Sequence, residues 1–367
     1  MVTAYVIAAC RSPVAPRGGA LSHLEIHALA GPVLRAALSQ AGMNDSNVAE
    51  VIVSNALGAG GNPARIIALA TGLPERIAGL SIDRQCAGGL DALLLARQMI
   101  RSGDADVIVA GGVESYSRRP VRMQTFADGR APVAYDQAPF TPWPDRDPDM
   151  AQAADTLAQS LGITRKAQDD WAIASHAKAL AYHPTPAEIV PIDGVTNDTF
   201  TRRLSPALCE RAKAITGDIT AANAAVAADG AAFCVVVSER VAARLSGPKV
   251  EIVAGATLGG APDCPGLAPV AAITKIMAQT GLSPTDLTAA EIMEAYAVQA
   301  IACVRGAHID PGIVNQGGGA LARGHPIGAS GAINAVRLFH DLQKKGGTGL
   351  AAIAAAGGIG TALLLRA

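Results

Sequence analysis

The sequence predicts an α/β fold of two related halves with a different segment set between them. Three observations lead there: a stretch that recurs at an offset of 239 residues, strands and helices alternating in the same order in both copies, and apolar runs without polar alternation.

The recurring stretch is VLRAALSQAGMNDSNVAEVIVSN at 33–55 and AITKIMAQTGLSPTDLTAAEIME at 272–294. Each reads as an amphipathic helix ending near Gly42 or Gly281, then a polar turn and a strand. A strand precedes each copy, AYVIAAC at 4–10 and VEIVAGA at 250–256. Both halves then open a second helix, at Cys86-Ala87-Gly88-Gly89 and at Gly328-Ala329-Ser330-Gly331. An apolar strand follows in each, within DADVIVAGG (104–112) and GLAAIAAAGG (349–358). Ala-rich helices resemble one another by chance, but the shared order of four elements favours duplication. Runs such as VIVAGG are expected as central strands, buried on both faces.

Residues 118–227 have another character, rich in Pro, Asp and Arg up to 149 and then helical. Thr164 is expected to cap a helix reaching Tyr182. The segment reads as a lid over a shared site, the alternative being a plain surface excursion. The division is 1–117 with 228–247, the inserted 118–227, and 248–367.

Composition narrows the function classes. Hydrophobic residues make up 50% of the chain but aromatics only 3%, so small side chains must build closely packed layers. The length suits two or three domains. A net charge of −1 without a basic stripe gives no footprint for nucleic acid. No run reaches the roughly 18–20 apolar residues of a membrane span, and the N-terminus reads as a first strand rather than a signal peptide. Six cysteines (10, 86, 209, 234, 264 and 303) are scattered without a CxxC pair. That argues against a disulfide framework or a metal site, and for a reducing cytoplasm.

Two residues stand out chemically. Cys86 falls where a strand ending near Ile82 turns into a helix. There the helix N-terminus is expected to favour a thiolate, and the neighbouring glycines leave room for a substrate carbonyl. A cysteine beside glycines is more often merely a small buried residue. His325, between Gly324 and Pro326, sits at the corresponding place in the second half. An isolated histidine is usually structural, but two matching helix N-termini would aim a nucleophile and a base or oxyanion donor at one point.

The whole chain resembles the thiolases, the acetyl-CoA acetyltransferase and 3-ketoacyl-CoA thiolase family. The resemblance rests on Arg11-Ser12-Pro13 with Gly18-Gly19-Ala20-Leu21, Gly61-Asn62-Pro63-Ala64-Arg65, Cys86-Ala87-Gly88-Gly89-Leu90 and Ala110-Gly111-Gly112-Val113-Glu114-Ser115. It continues through Asn223-Ala224, Asp229-Gly230-Ala231-Ala232, Glu294-Ala295-Tyr296-Ala297 and the highly specific Gly324-His325-Pro326-Ile327-Gly328-Ala329-Ser330-Gly331. It implies a five-layered α/β/α/β/α core and an inserted loop domain that binds coenzyme A. It also implies assembly as a homodimer or homotetramer. By the same resemblance Cys86 is acylated, His325 activates it and helps form the oxyanion hole, and Met150 and Ala225 lie against coenzyme A, where Ala225 replaces the usual Ser. No permanently bound cofactor is implied; acyl-CoA is the substrate.

The pattern breaks where carbon–carbon chemistry is done. The family's second cysteine, in a C-x-G segment, takes or gives the α-proton; its position here is Ala354, and the glycine position is Ala356. Removing a positioned base typically slows a step by about 10²–10⁴-fold. The family usually has Asn before Glu-Ala-Phe, holding a water in the oxyanion hole; here the segment is Met293-Glu294-Ala295-Tyr296. The expected function is therefore acyl transfer through Cys86 from acyl-CoA to an acceptor that needs no α-proton removal. Alternatives are a thiolase with a substituted base, Cys264 being one candidate although an ordinary loop cysteine is the plainer reading, and a non-catalytic partner subunit. Arg118, Arg119 and Arg122 either meet coenzyme A phosphates or form a solvated basic turn. Glu114 and Glu294 read as structural hydrogen-bonders.

Overall fold

The computed structural model describes residues 2–58 and 60–367. The first half runs β1 (Ala4–Arg11), the short β2 (Ala15–Pro16), α1 (Ile26–Gln40), β3 (Glu50–Ser54), α2 (Pro63–Ala70), β4 (Ala78–Ile82), α3 (Gly88–Ser102) and β5 (Val107–Ser115). An excursion follows. It holds the hairpin β6 (Arg122–Gln124) and β7 (Val133–Tyr135), helices α4 (Met150–Leu161), α5 (Arg165–Ala181) and α6 (Pro206–Glu210), and the pair β8 (Ala214–Thr216) and β9 (Ile219–Thr220). β10 (Ala228–Ser238) returns to the first half, and the turn α7 (Glu239–Ala242) leads to the second. That half is β11 (Val250–Gly259), α8 (Ala268–Thr280), β12 (Leu287–Ile292), α9 (Ala297–Gly306), α10 (Ala320–Arg323), α11 (Ile327–Lys345), β13 (Thr348–Ala355) and β14 (Ile359–Arg366).

The repeat expected from the sequence is present element by element. α1 and α8 are each followed by a glycine in the left-handed region, Gly42 at φ 61° and Gly281 at φ 69°, a conformation that stops a helix cheaply only without a Cβ. β1 and β11 carry matching register shifts, between Val6 and Ala8 and between Ile252 and Ala254. The counterpart of β4 is reduced to one parallel bridge from Val314 to Ala290.

The strands form one sheet, β12-β13-β14-β11-β1-β10-β5-β3-β4, rather than two separate ones, because β1 and β11 pair at Tyr5–Glu251 and Val6–Val250. Its two wings enclose α3 and α11. In the first wing Ile52, Ile108, Ala110, Ala232 and Cys234 face that central layer, while Val51, Val53, Val107, Val109 and Phe233 face α1 and α2. In the second wing Ala351, Ile353 and Leu363 face inward, and Leu350, Ala352 and Leu364 face α8 and α9. Five layers result, and period-2 alternation is hidden in the sequence because both faces of each wing are covered.

Thr164 caps α5 as expected, its side chain accepting from the Ala167 N–H. The excursion is pinned by buried charge. Arg11 of β1 holds Glu188 at 3.1 Å and Asp198 at 2.8 Å, and Arg337 of α11 holds Glu188 at 2.8 Å. Removing one partner of such a buried group typically costs about 3–5 kcal/mol. No helix among the described residues is long and apolar enough to cross a membrane.

Candidate active site

Cys86 lies in a single 3₁₀ turn, Gln85–Ala87, between β4 and α3. Gln85 is held at φ 49°, in the left-handed region, so the chain turns sharply before the cysteine. His325 follows Gly324, at φ 110°, and precedes α11. Its N–H donates to the Val226 carbonyl at 2.8 Å, which fixes the loop against the strand entering β10. Glycines bring the two turns together. A Cβ on Gly88 would stand 2.1 Å from Ser54 Oγ, and one on Gly331 would stand 2.6 Å from the Leu90 nitrogen.

The result is a direct contact: Cys86 Sγ lies 3.1 Å from His325 Nε2 across 239 residues of sequence. The other ring nitrogen, Nδ1, is 2.7 Å from Ser330 Oγ, one turn into α11. The Ser330 hydroxyl already donates to the Pro326 carbonyl at 3.0 Å. It has one proton to give, so toward His325 it accepts, and Nδ1 carries the ring proton. Nε2 is left as a bare acceptor facing the thiol. Ser330 went unnoticed as a site residue in the sequence although it lies within the string that carries His325. Its spacing of five residues from His325, on a helix starting two residues after the imidazole, was the available signal.

The expected thiolate is not what the surroundings favour. Loss of water pushes the Cys86 thiol up to about 12, with the charges of Glu114 and Asp83 adding to the rise. Burial likewise pushes His325 down to about 4. A hydrogen bond from the Cys86 backbone N–H works the other way on the thiol but is outweighed by the loss of water. The pair therefore rests as thiol and neutral imidazole.

Both residues line a cavity of about 380 Å³. Ala354 and Ala356 form another part of its wall, together with Ala225 and Met150, so these sequence-picked positions converge on one space, which Ala355 lines as well. Met293 does not line it. Strand parity sends that side chain into the central layer, 1% exposed, while its N–H pairs with the Ala352 carbonyl at 2.9 Å. Cys264 is also off the wall; it packs against the cluster of α4 and α9, and Pro265 and Gly266 line the cavity in its place. α4 contributes Met150, Ala153, Ala154 and Leu157. Arg119 and Arg122 reach the cavity beside Arg17, whereas Arg118 pairs with Glu25 outside it. Tyr116, Tyr296 and Gln299 also line the wall and were not singled out from the sequence.

Two buried carboxylates hold the frame. Glu114 accepts from Asn55 Nδ2 at 2.8 Å and from the backbone N–H groups of Ala56 at 3.0 Å, Leu57 at 3.3 Å and Gly328 at 3.0 Å. It thereby ties the start of α11 to the end of β3, although burial still lifts it to about 7. Glu294 accepts from Trp171 Nε1 at 3.0 Å, Ser175 Oγ at 2.7 Å and Asn315 Nδ2 at 2.8 Å, tying α5 of the excursion to the second half.

The chain is similar over its length to proteins of known kind. Residues 4–240 match the family model described as thiolase, N-terminal domain, and 246–367 the one described as thiolase, C-terminal domain. YhfS of Bacillus subtilis (strain 168), provisionally named an acetyl-CoA C-acetyltransferase, is 36% identical and covers 100% of this chain and 99% of its own. The acetyl-CoA acetyltransferase of Cupriavidus necator is 35% identical, with 100% of both chains covered. The crystal structure of the Bacillus anthracis acetyl-CoA acetyltransferase superposes with a TM-score of 0.91 at 31% identity, over 100% of this chain and 99% of that one. With the fold, the two domain models and full-length relatives in agreement, the chain belongs to the thiolase family and is an acyltransferase of that type.

Proposed function

We propose that the protein takes an acyl group from acyl-CoA onto Cys86 and passes it to an acceptor that needs no α-proton removal, an amine, alcohol, thiol or water. The carrying observation is the 3.1 Å contact of Cys86 Sγ with His325 Nε2 in a cavity where Ala354 occupies the second-cysteine position. The S–H proton passes to Nε2 as sulfur attacks the thioester carbonyl. The tetrahedral intermediate expels coenzyme A thiolate, which takes the proton back from His325. A thiol near 12 and an imidazole near 4 support attack and proton transfer in one concerted event, since a free ion pair lies far uphill. In the second step His325 accepts the acceptor's proton and returns it to the Cys86 sulfur as the acyl group leaves. Met150 and Ala225 are the proposed contacts for coenzyme A, with 118–227 as the lid; a cytoplasmic homodimer or homotetramer belongs to the same reading.

Mass measurement of the intact chain and its Cys86 peptide after incubation with acyl-CoAs tests this. An adduct on Cys86, absent in Cys86→Ala, is the expected result. No adduct, or one that survives the substitution, sinks the proposal. A second reading, carbon–carbon bond formation or thiolysis, is favoured by the names of the relatives. It requires a base other than residue 354, and the placement of Cys264 off the cavity wall counts against that candidate. Acetoacetyl-CoA thiolysis by the unaltered protein is its direct test.

A further inference from the structure

The cavity that holds Cys86 and His325 has a basic side that the chemistry of the pair leaves unused. Arg17, Arg119 and Arg122 reach it there, with Asp136 as the carboxylate among them. Positive charge is therefore in excess on this side. Arg119 donates to Asp136 at 2.9 Å and to the Tyr116 carbonyl at 3.1 Å, and Arg122 to the Ala56 carbonyl at 2.8 Å. The Arg17 guanidinium has neither a hydrogen bond nor an ion pair among the described residues. It lies over the Tyr116 ring at 6.0 Å from the centroid. Tyr116 lines the cavity as well, and its hydroxyl has no hydrogen-bond partner among the described residues.

The backbone sets Arg17 at a definite distance from the chemistry. Its N–H donates to the Ala227 carbonyl at 2.8 Å, continuing the antiparallel register in which Pro16 faces Ala228. Ala227 in turn forms a parallel bridge with His325. Residues that face each other on neighbouring chains put their side chains on one face. With neighbouring chains about 4.8 Å apart, the Arg17 and His325 backbones stand side by side at about 10 Å. Burial chiefly raises the Tyr116 phenol, and the charge of Cys86 adds to the rise, so Tyr116 is near the sulfur as well as near Arg17.

A thioester held at Cys86 sends its two arms away from the carbonyl carbon in different directions. In the acyl-transfer reading the coenzyme A arm follows Met150 of α4 and Ala225. The side lined by Leu57, Tyr116 and Arg17 is then left to the acyl chain. The pyrophosphate is a whole pantetheine arm from the carbonyl, so an anion at Arg17 comes from the acyl end. We infer that Arg17 and Tyr116 form an anion subsite that selects acyl-CoAs of dicarboxylic acids, the free carboxylate meeting the guanidinium and the phenol. This deepens the acyl-transfer reading and rests on it. Arg17 is exposed, so the carboxylate keeps part of its water and avoids the cost of full burial.

Calorimetric binding to Cys86→Ala, which cannot be acylated at residue 86, reads the subsite apart from the chemistry. The probes are glutaryl-CoA and adipyl-CoA, each against the monocarboxylic acyl-CoA of equal chain length, valeryl-CoA and hexanoyl-CoA. A charge-assisted hydrogen bond predicts about ten-fold tighter binding of at least one diacid. Raising the salt concentration should shrink that ratio, because the pair is open to solvent. Adding Arg17→Met should bring the ratio to about one, Arg17→Lys should keep part of it, and Tyr116→Phe should lower it. Equal affinities within both pairs of probes overturn the subsite, as does a ratio that survives Arg17→Met. If Arg17→Met weakens diacid and monoacid alike with the ratio intact, Arg17 serves coenzyme A and the proposal falls. Acylation of the unaltered protein separates the two ideas. A diacid preference without any Cys86 adduct leaves the subsite standing and removes acyl transfer; adducts without a preference do the reverse.

Discussion

A methyl group on Gly89 of α3 would stand 2.3 Å from the backbone nitrogen of Ala332 in α11, so the two central helices touch main chain to main chain. The turns that carry Cys86 and His325 lie at the starts of these same helices. Their 3.1 Å contact therefore depends on a crossing that only glycine permits.

Gly89→Ala is expected to push the helices apart. Overpacking of this kind costs about 1–3 kcal/mol, partly offset by about 0.5–1 kcal/mol because alanine suits a helix better than glycine. The expected outcome is a modest drop in Tm with a much larger loss of acyl loading on Cys86. A variant that loads at the normal rate would separate the crossing from the chemistry.

Ser330 should act through His325. Ser330→Ala leaves the Nδ1–H without its acceptor and frees the ring to turn or change tautomer. The expected loss of Cys86 acylation is about 10–100-fold, in line with removal of groups that orient a working imidazole. Ser330→Thr keeps the hydroxyl and should recover part of it. Folding, followed by thermal unfolding, should change far less than loading. Equal loading by Ser330→Ala would assign Nδ1 another partner.

The resting protonation state gives a pH signature. With the thiol near 12, alkylation of Cys86 by iodoacetamide should climb about tenfold per pH unit from about pH 6 to 9. A plateau near neutrality would reveal a thiolate–imidazolium pair instead. Stability should carry the imidazole's sign. His325 is depressed to about 4 from an ordinary value near 6.5. Between these values the unfolded chain binds more protons than the native one. The stability tied to a neutral His325 is thus complete above about pH 6.5 and is lost as pH falls toward about 4, on the order of 3 kcal/mol. Denaturation of the protein against His325→Asn across that range should show the difference shrinking on acidification.

The repeat and the two residues it pairs were legible because they leave local marks. Helix stops at Gly42 and Gly281, the cap at Thr164 and the glycines beside Cys86 are each written within a few residues. What depends on the fold's interior was not legible. Position 293 gives no hint of which way its side chain points; that follows from the pleat of β12, which sends Ile292 outward and Met293 into the central layer. The thiolate expectation rested on the helix end, which is visible in sequence, and left out desolvation, which is not. The joining of two wings into one sheet rests on a two-residue pairing of β1 with β11 that no pattern announces. Gln299 reads like any helical glutamine until its neighbours are seen to offer it no partner.

Restoring the missing group is the sharpest test of the proposed chemistry. Ala354 is the next-to-last residue of the fully covered β13, is 8% exposed and lines the cavity with Cys86. Ala354→Cys adds one sulfur to a cavity of about 380 Å³, and its backbone pairing with Gly360 stays intact. If carbon–carbon chemistry is limited by the lack of an acid–base group there, acetoacetyl-CoA thiolysis should rise by about 10²–10⁴-fold. Acyl loading of Cys86, which does not call on that position, should change little. The measurement is the rate of acetoacetyl-CoA consumption in the presence of coenzyme A, beside mass measurement of the Cys86 adduct. Brisk thiolysis by the unaltered protein, left unchanged by the new cysteine, would mean that the α-proton is handled elsewhere, and the proposed restriction to acceptors without an α-proton step would fall.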